Sequence, residues 1–277
     1  MKCRSRPTLT TAALLGALVL LVGCVNPHVV ERRERAAVAK VMFEERCKKA
    51  GVFIHRKVPD VEGILVMKLR PREINYGNQF LMDDPYGRDL SGDGYLVSLL
   101  RGSFQANTKG ALPPGSPPRL GYHYVEAMDP IDGKRYRYTG SVRDYVVTPN
   151  RAFNSVSEPF TTRGFVMDKT PALSSQPRFG LTYDDISTRQ DREYWIAGSS
   201  LRVVDTQTGE VLAERVGYMW DPGQGNNSGG RSPWLLAANY ACPSFIRIPG
   251  AKPDGHASGD QAHQAQDFVE SVLVPKF

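Results

Sequence analysis

The residues that could carry out nucleophilic hydrolysis are the five histidines and the serines that lie close to glycine. An activated serine needs a nearby base, and in many hydrolases it lies in a G-x-S-x-G turn, which this sequence lacks. Gly198-Ser199-Ser200 and Gly230-Arg231-Ser232 only place a glycine near a serine. His123 alternates with two tyrosines, which is typical of a histidine on a strand face. We therefore predict no catalytic residue; a hydrolase would require a deep pocket that brings His123 to a serine or an aspartate.

Acidic residues offer two further kinds of chemistry, metal binding and acid–base catalysis. The segment Asp89–Gly94 begins like a calcium-binding loop, but Leu100 stands where such a loop needs a bidentate glutamate. The pairs Asp83-Asp84 and Asp184-Asp185 are neighbours in extended segments, so their carboxylates point to opposite sides and do not converge on one bond. The glycine-rich segment 223–230 lacks the lysine of a phosphate-binding loop. The sequence therefore predicts no metal site and no cofactor.

Two segments combine residue types that are common at protein interfaces. The glycine-rich segment is flanked by Trp220 and Trp234 and followed by Arg231, and tryptophan and arginine dominate the binding energy of many interfaces. The second segment is acidic, and its candidate contact residues are Asp83, Asp84, Arg88, Asp89 and Asp93. Both tryptophans would fit a hydrophobic core equally well, so the sequence leaves a contact role and a core role open for them.

The amino terminus has the parts of a bacterial export signal. Three basic residues precede the apolar run 10–22, which is too short to anchor a folded domain as a membrane-spanning helix. The tetrad Leu21-Val22-Gly23-Cys24 that closes it resembles the lipobox of bacterial lipoproteins. The resemblance implies cleavage of a signal peptide over 1–23, acylation of Cys24 and a short tether over 24–29. An ordinary secretory signal that contains a cysteine is the alternative.

The residue after Cys24 is Val25 rather than aspartate, which in Gram-negative lipoproteins implies transfer to the outer membrane. The expected location is therefore the outer membrane, with the body of the chain facing the periplasm. The acyl chains would attach the protein to the membrane, since the remaining chain has no second apolar run of transmembrane length.

Charge and cysteine content limit the other classes of partner. Loss of the three basic residues of the signal lowers the formal net charge from +6 to +3, and the remaining charges of both signs are interspersed, so we predict no nucleic-acid partner. Export to an oxidising compartment favours a disulfide between Cys47 and Cys242, and two free buried thiols are the alternative.

The hydrophobic pattern predicts a helix at each end of the body. Residues 30–50 carry a narrow apolar stripe at helical spacing that includes Cys47, and Gly51 is the expected C-cap. Near the carboxyl end, Gln264–Leu273 has an apolar helical face that Pro275 ends.

Short strands joined by tight turns are predicted between these helices. Two hairpins share the turn pattern Asp-x-x-Asp/Thr-Gly, at 129–133 and 205–209, where the aspartate accepts backbone N–H groups and the glycine takes a positive φ. The proline-rich segment 113–118 is interpreted as a loop inside one domain that covers 30–277. The pattern favours an α+β fold with a mainly antiparallel sheet of hairpins.

Three segments resemble uncharacterised proteobacterial lipoproteins, some of which are similar to type VI secretion immunity lipoproteins that act against lipase effectors. The segments are Tyr183–Ser187, Tyr194–Ser200 and Gly229–Trp234. The resemblance implies a non-enzymatic, lipid-anchored protein whose partner is a secreted toxin. Two alternatives remain open, an assembly accessory of a secretion or conjugation apparatus and a periplasmic hydrolase with an unrecognised site.

Overall fold

The structure is a computed structural model that describes residues 27–71, 73–82, 92–102, 121–148, 158–172, 175–245 and 257–276. Six α-helices lie in these ranges: α1 (Pro27–Cys47), α2 (Gly92–Arg101), α3 (Arg189–Glu193), α4 (Pro233–Ala237), α5 (Ala257–Gln261) and α6 (Gln264–Val272). Single 3₁₀ turns cover Ser228–Gly230 and Ala238–Tyr240. Within the described ranges, no helix combines the length and the apolar character needed to cross a membrane.

A mixed sheet of nine strands forms the centre of the fold. Its strands are β1 (Gly51–Ile54), β3 (Gly63–Val66), β4 (Tyr124–Met128), β5 (Arg135–Val147), β6 (Phe160–Pro171), β7 (Phe179–Asp185), β8 (Ile196–Asp205), β9 (Val211–Trp220) and β10 (Ala241–Cys242). Their order is β1-β9-β8-β7-β3-β4-β5-β6, and β10 also pairs with β9. Among the described strands of this sheet, the pairs β3–β4 and β3–β7 are parallel and the other pairs are antiparallel. A second, small sheet pairs β2 (Val58–Val61) with β11 (Leu273–Pro275) in parallel.

Helices pack on both faces of the large sheet. The main core joins α2 and α6 to one face, where Leu99, Leu201 and Val269 are fully buried. Successive residues of a strand point to opposite faces, and the other face of β8 and β9 presents Ile196 and Trp220 to α1. The sheet is therefore the middle layer at its β8–β9 end, which confirms the predicted α+β fold with a mainly antiparallel sheet.

A disulfide ties α1 to the sheet. Cys47, the last residue of α1, and Cys242 in β10 have sulfur atoms 2.00 Å apart and Cα atoms 5.6 Å apart, which confirms the predicted pairing. The helix itself differs from its expected bounds, since it begins at Pro27, inside the predicted tether. Gly51 does not cap it, because its φ is not positive and it begins β1.

The two predicted turns have the expected chemistry. Asp129 Oδ1 accepts from the backbone N–H of Ile131 at 2.7 Å, and Gly133 has a φ of +68°. The second turn repeats this arrangement with the Asp205 carboxylate and Gly209. Each aspartate therefore stabilises a hairpin, which leaves a structural role for both residues.

Candidate protein-binding surface

The two tryptophans that flank the glycine-rich segment are buried. Trp234 has no exposed surface and its ring centroid lies 5.0 Å from that of Trp195, while Trp220 stacks on Phe43 of α1 at 5.9 Å. The hypothesis that Trp220 and Trp234 contact a partner is therefore wrong for this conformation. Their large apolar rings are held in the core, which was the second role that the sequence left open.

Arg231 is committed to an ion pair inside the chain. Its guanidinium binds both carboxylate oxygens of the fully buried Asp221, with a distance of 2.8 Å from Nη1 to Oδ2. The same carboxylate accepts from the backbone N–H groups of Gly223 at 2.9 Å and Gly225 at 2.8 Å. The hydrogen bonds to Asp221 raise the pKa of the Arg231 guanidinium. Arg231 therefore organises the glycine-rich segment, and its expected role as a contact residue stays a prediction.

Trp234 instead supports a neighbouring loop, which we call loop 73–82. The indole Nε1 of Trp234 donates to the carbonyl oxygen of Asn78 at 3.0 Å, and its backbone N–H donates to Tyr76 at 3.0 Å. Inside the loop, Asn75 Oδ1 accepts from the backbone N–H of Asn78 at 2.7 Å and of Gly77 at 3.2 Å. These bonds fix the loop backbone to the core.

A second set of bonds fixes the loop to α3. Gln79 Nε2 donates to the carbonyl oxygens of Arg192 at 2.7 Å and Glu193 at 2.9 Å. Carbonyl groups in the last turn of a helix lack donors from a following turn, and the glutamine side chain binds two of them. The Arg192 carbonyl oxygen also accepts from the backbone N–H of Trp195 at 3.0 Å, and that of Glu193 accepts from Arg35. Loop 73–82 is thus held by Trp234 near its middle and by α3 through Gln79.

Buried ion pairs hold α3 in place. Thr188 and Asp191 form a capping box at its first turn, with Asp191 N donating to Thr188 Oγ1 at 3.0 Å. Asp191 also pairs with Arg46 of α1 at 3.0 Å, and the buried Arg192 pairs with Asp185 at the end of β7. The carbonyl groups that bind Gln79 therefore have defined positions.

Loop 73–82 exposes four large apolar side chains, on and directly after the residues 75–79 that the bonds above fix to the core. Tyr76, Phe80, Leu81 and Met82 are 45, 42, 46 and 39 % exposed. The guanidinium carbon of Arg189, on α3, lies 4.7 Å from the centroid of the Phe80 ring. A cleft of about 420 Å³ lies beside the loop and is lined by residues that include Ile74, Tyr76 and Leu81. A cluster of exposed apolar side chains on a fixed backbone is a typical protein-binding surface.

The surface also lies near the first turns of α1. Arg35 Nη2 donates to the carbonyl oxygen of Glu193 at 2.6 Å, and its guanidinium carbon lies 5.2 Å from the Tyr194 ring. Because α1 begins at Pro27, the eight residues to Arg35 span about 12 Å of helix. The α3 support of loop 73–82 therefore lies close to the amino-terminal end of the described chain.

The other predicted site residues are distributed as follows. Asp83, Asp84, Arg88 and Asp89 lie outside the described residues, as does Cys24, and the predictions made for them stay predictions. Asp93 lies exposed in the first turn of α2. Asp184 pairs with Arg202 and Asp185 with Arg192, so the two carboxylates point apart as expected.

Two observations in the described ranges concern the residues weighed for catalytic and metal chemistry. His123 is exposed just before β4 and lies near Glu62, so it does not occupy the deep pocket that a hydrolase would require. In the same ranges, no three histidine, cysteine, aspartate or glutamate side chains come together as metal ligands.

The sequence analysis did not identify loop 73–82 as a candidate site. Phe80-Leu81-Met82 is an apolar triplet inside a polar stretch and could have indicated it. Comparison with protein-family models, curated proteins and solved structures finds no match.

Proposed function

We propose that this chain is a lipid-anchored envelope protein that binds another protein through loop 73–82. The observation that carries the proposal is the loop itself, which exposes Tyr76, Phe80, Leu81 and Met82 on and directly after the segment that Trp234 and Gln79 fix to the core. A surface that is already ordered binds at a lower entropic cost than a mobile one. The exposed aromatic and aliphatic groups offer the apolar anchors on which protein interfaces depend.

The proposed anchor would bring the loop near the membrane. If Cys24 carries the acyl chains, only Val25 and Asn26 separate it from α1, and these three steps span at most about 10 Å. The amino-terminal end of α1 would then lie at the membrane surface. Loop 73–82 would lie within a few nanometres of the bilayer, where it would meet a partner that acts on lipids.

We further propose that the partner is a secreted antibacterial effector of the lipase type and that the chain is its immunity protein. The effector class rests on the resemblance to immunity lipoproteins, and the short distance between anchor and loop supports it. The acidic segment that begins at Asp83 directly follows Met82 in the sequence, and its contact with the partner stays a prediction.

Capture experiments with a matched pair of variants test the binding surface. Phe80→Asp places a charge in the centre of loop 73–82, whereas Ile131→Asp makes the same kind of change at the tip of the β4–β5 turn, where the side chain is 92 % exposed. The full chain and Ile131→Asp should each recover one stoichiometric partner from a lysate of the host, and Phe80→Asp should lose it. Equal recovery by all three proteins, or recovery only of secretion or conjugation components, would contradict the proposal.

A further inference from the structure

The cleft beside loop 73–82 combines apolar side chains with one acidic group. Its volume of about 420 Å³ lies within the range of small-ligand sites, so it is large enough to receive a whole side chain of a partner. Ile74, Tyr76 and Leu81 supply apolar surface to the lining. Glu73 carries the one formal charge among the described residues that line the cleft, so the lining has a formal charge of −1.

Two side chains of this lining offer groups that the fold does not use. In the part of the chain that the structure describes, the exposed Glu73 carboxylate takes part in no hydrogen bond or ion pair. The Tyr76 side chain is 45 % exposed and likewise has no partner among those residues, although its backbone carbonyl is held by Trp234 at 3.0 Å. The Asn75 side chain between them is committed, because it bonds to the backbone of Asn78 at 2.7 Å. A ligand can therefore contact Glu73 and Tyr76 without breaking a bond of the fold.

An arginine side chain matches this pair of groups. Its planar guanidinium binds a carboxylate with two parallel hydrogen bonds, stacks on an aromatic ring and stays charged at any physiological pH. Phe80 shows the second contact within the chain, since the Arg189 guanidinium carbon lies 4.7 Å from its ring centroid, whereas no described cation lies over the Tyr76 ring. An acidic side chain would be repelled by Glu73, and a purely apolar one would cover its carboxylate without giving it a partner.

We propose that this cleft receives an arginine side chain of the protein that binds loop 73–82. The guanidinium would bind the Glu73 carboxylate and stack on the Tyr76 ring, and the methylene groups would contact Leu81. Arginine is among the residue types that dominate the binding energy of protein interfaces, so a dedicated cleft for it would select the partner. The proposal rests on the proposed binding function and adds the residue type that the surface recognises.

Methyl-detected NMR titration of the full chain, in mild detergent, tests the proposal with Nα-acetyl-arginine amide as the probe. The methyl signals of Ile74 and Leu81, which line the cleft, should shift and saturate at millimolar probe. Nα-acetyl-citrulline amide has the same shape without the charge and should bind at least about fivefold more weakly, which is the upper end of the range for a surface ion pair. Nα-acetyl-lysine amide keeps the charge without the planar group and should also bind more weakly than the arginine probe.

Matched variants separate the cleft from other acidic surfaces. Glu73→Gln should weaken binding of the arginine probe about fivefold without a change in the melting temperature. Glu44→Gln on α1 makes the same change at an exposed ion pair with Lys40 outside the cleft and should leave the affinity unchanged. No saturable shift, equal binding of the citrulline or lysine probe, or unchanged affinity in Glu73→Gln would overturn the proposal.

The capture experiment keeps this inference distinct from the proposed function. Glu73→Gln should recover less of the partner than the full chain does, whereas Phe80→Asp should recover none. Full recovery by Glu73→Gln together with loss by Phe80→Asp would overturn the arginine cleft and leave the proposed function in place. Probe binding that depends on Glu73, in a chain that captures no partner, would support the arginine cleft and contradict the proposed function.

Discussion

Replacement of Trp234 by phenylalanine tests whether the core positions loop 73–82. The change keeps an aromatic ring against Trp195 but removes the donor that binds the Asn78 carbonyl oxygen at 3.0 Å. Loss of that hydrogen bond should lower the free energy of unfolding by about 1–2 kcal/mol. The smaller ring in a fully buried position should cost about 1–2 kcal/mol more. At roughly 2–4 °C per kcal/mol, the melting temperature should fall by about 10 °C.

The same variant should loosen the loop more than the rest of the molecule. Hydrogen exchange at the backbone amides of Gly77 and Asn78 should speed up by about tenfold, because the lost bond lowers the local opening energy. Trp220→Phe is the matched control, since Trp220 is also buried but contacts Phe43 and Tyr240. It should lower stability without a selective effect on loop exchange. Equal exchange rates at these two amides in both variants would refute the argument that Trp234 positions the loop.

Three further predictions concern the charges and the disulfide. Arg231→Gln leaves the buried carboxylate of Asp221 without its cation and should lower the free energy of unfolding by about 3–5 kcal/mol. Arg202→Gln, at the more exposed pair with Asp184, should lower it by less than about 1 kcal/mol. Urea unfolding of both variants checks this, and equal losses of stability would contradict it. Simultaneous replacement of Cys47 and Cys242 by serine opens a loop with a sequence separation of 195 residues and should lower the free energy of unfolding by about 5 kcal/mol in the chain-entropy model. An unchanged melting temperature would contradict that model for this protein. The hydrogen bond from Lys169 lowers the pKa of Asp129 from its usual 3.8. The Asp129 carboxylate therefore stabilises the fold above that pH, and this stabilisation is lost as the pH falls through the lowered pKa. Asp129→Asn should reduce the loss of stability below about pH 4 in acid unfolding curves, and an unchanged curve would contradict this assignment.

Much of the fold follows from local sequence signals. The aspartates and glycines of the turns at 129–133 and 205–209 form two hairpins through hydrogen bonds and backbone angles within a few residues. The predicted turn chemistry was therefore confirmed. The disulfide was predicted from export to an oxidising compartment, and the helical stripe that contains Cys47 supported it. The parallel pairing of β3 with β4 and β7 was not predictable in this way, because it joins segments that are far apart in the chain.

The candidate site was harder to predict, because tertiary contacts decide which apolar residues are exposed. Trp234 and Phe80 are both large aromatic residues in loop-like sequence, yet one is fully buried and the other is 42 % exposed. Trp234 packs against Trp195 in the core, whereas Phe80 follows Gln79, which is held on the surface of α3. Local sequence does not contain that information. The ion pair between Arg231 and Asp221 could not be predicted from local sequence either, because the fold brings the two side chains together.

The most direct test of the account is whether the chain inhibits a secreted lipase of its host through loop 73–82. Purified chain would be titrated into the secreted protein fraction while phospholipid hydrolysis is measured. The account predicts that hydrolysis falls to a stoichiometric end point with the full chain and with Ile131→Asp, and that Phe80→Asp has no effect. Hydrolysis that is unchanged by the full chain, or inhibited equally by Phe80→Asp, would contradict the central claim.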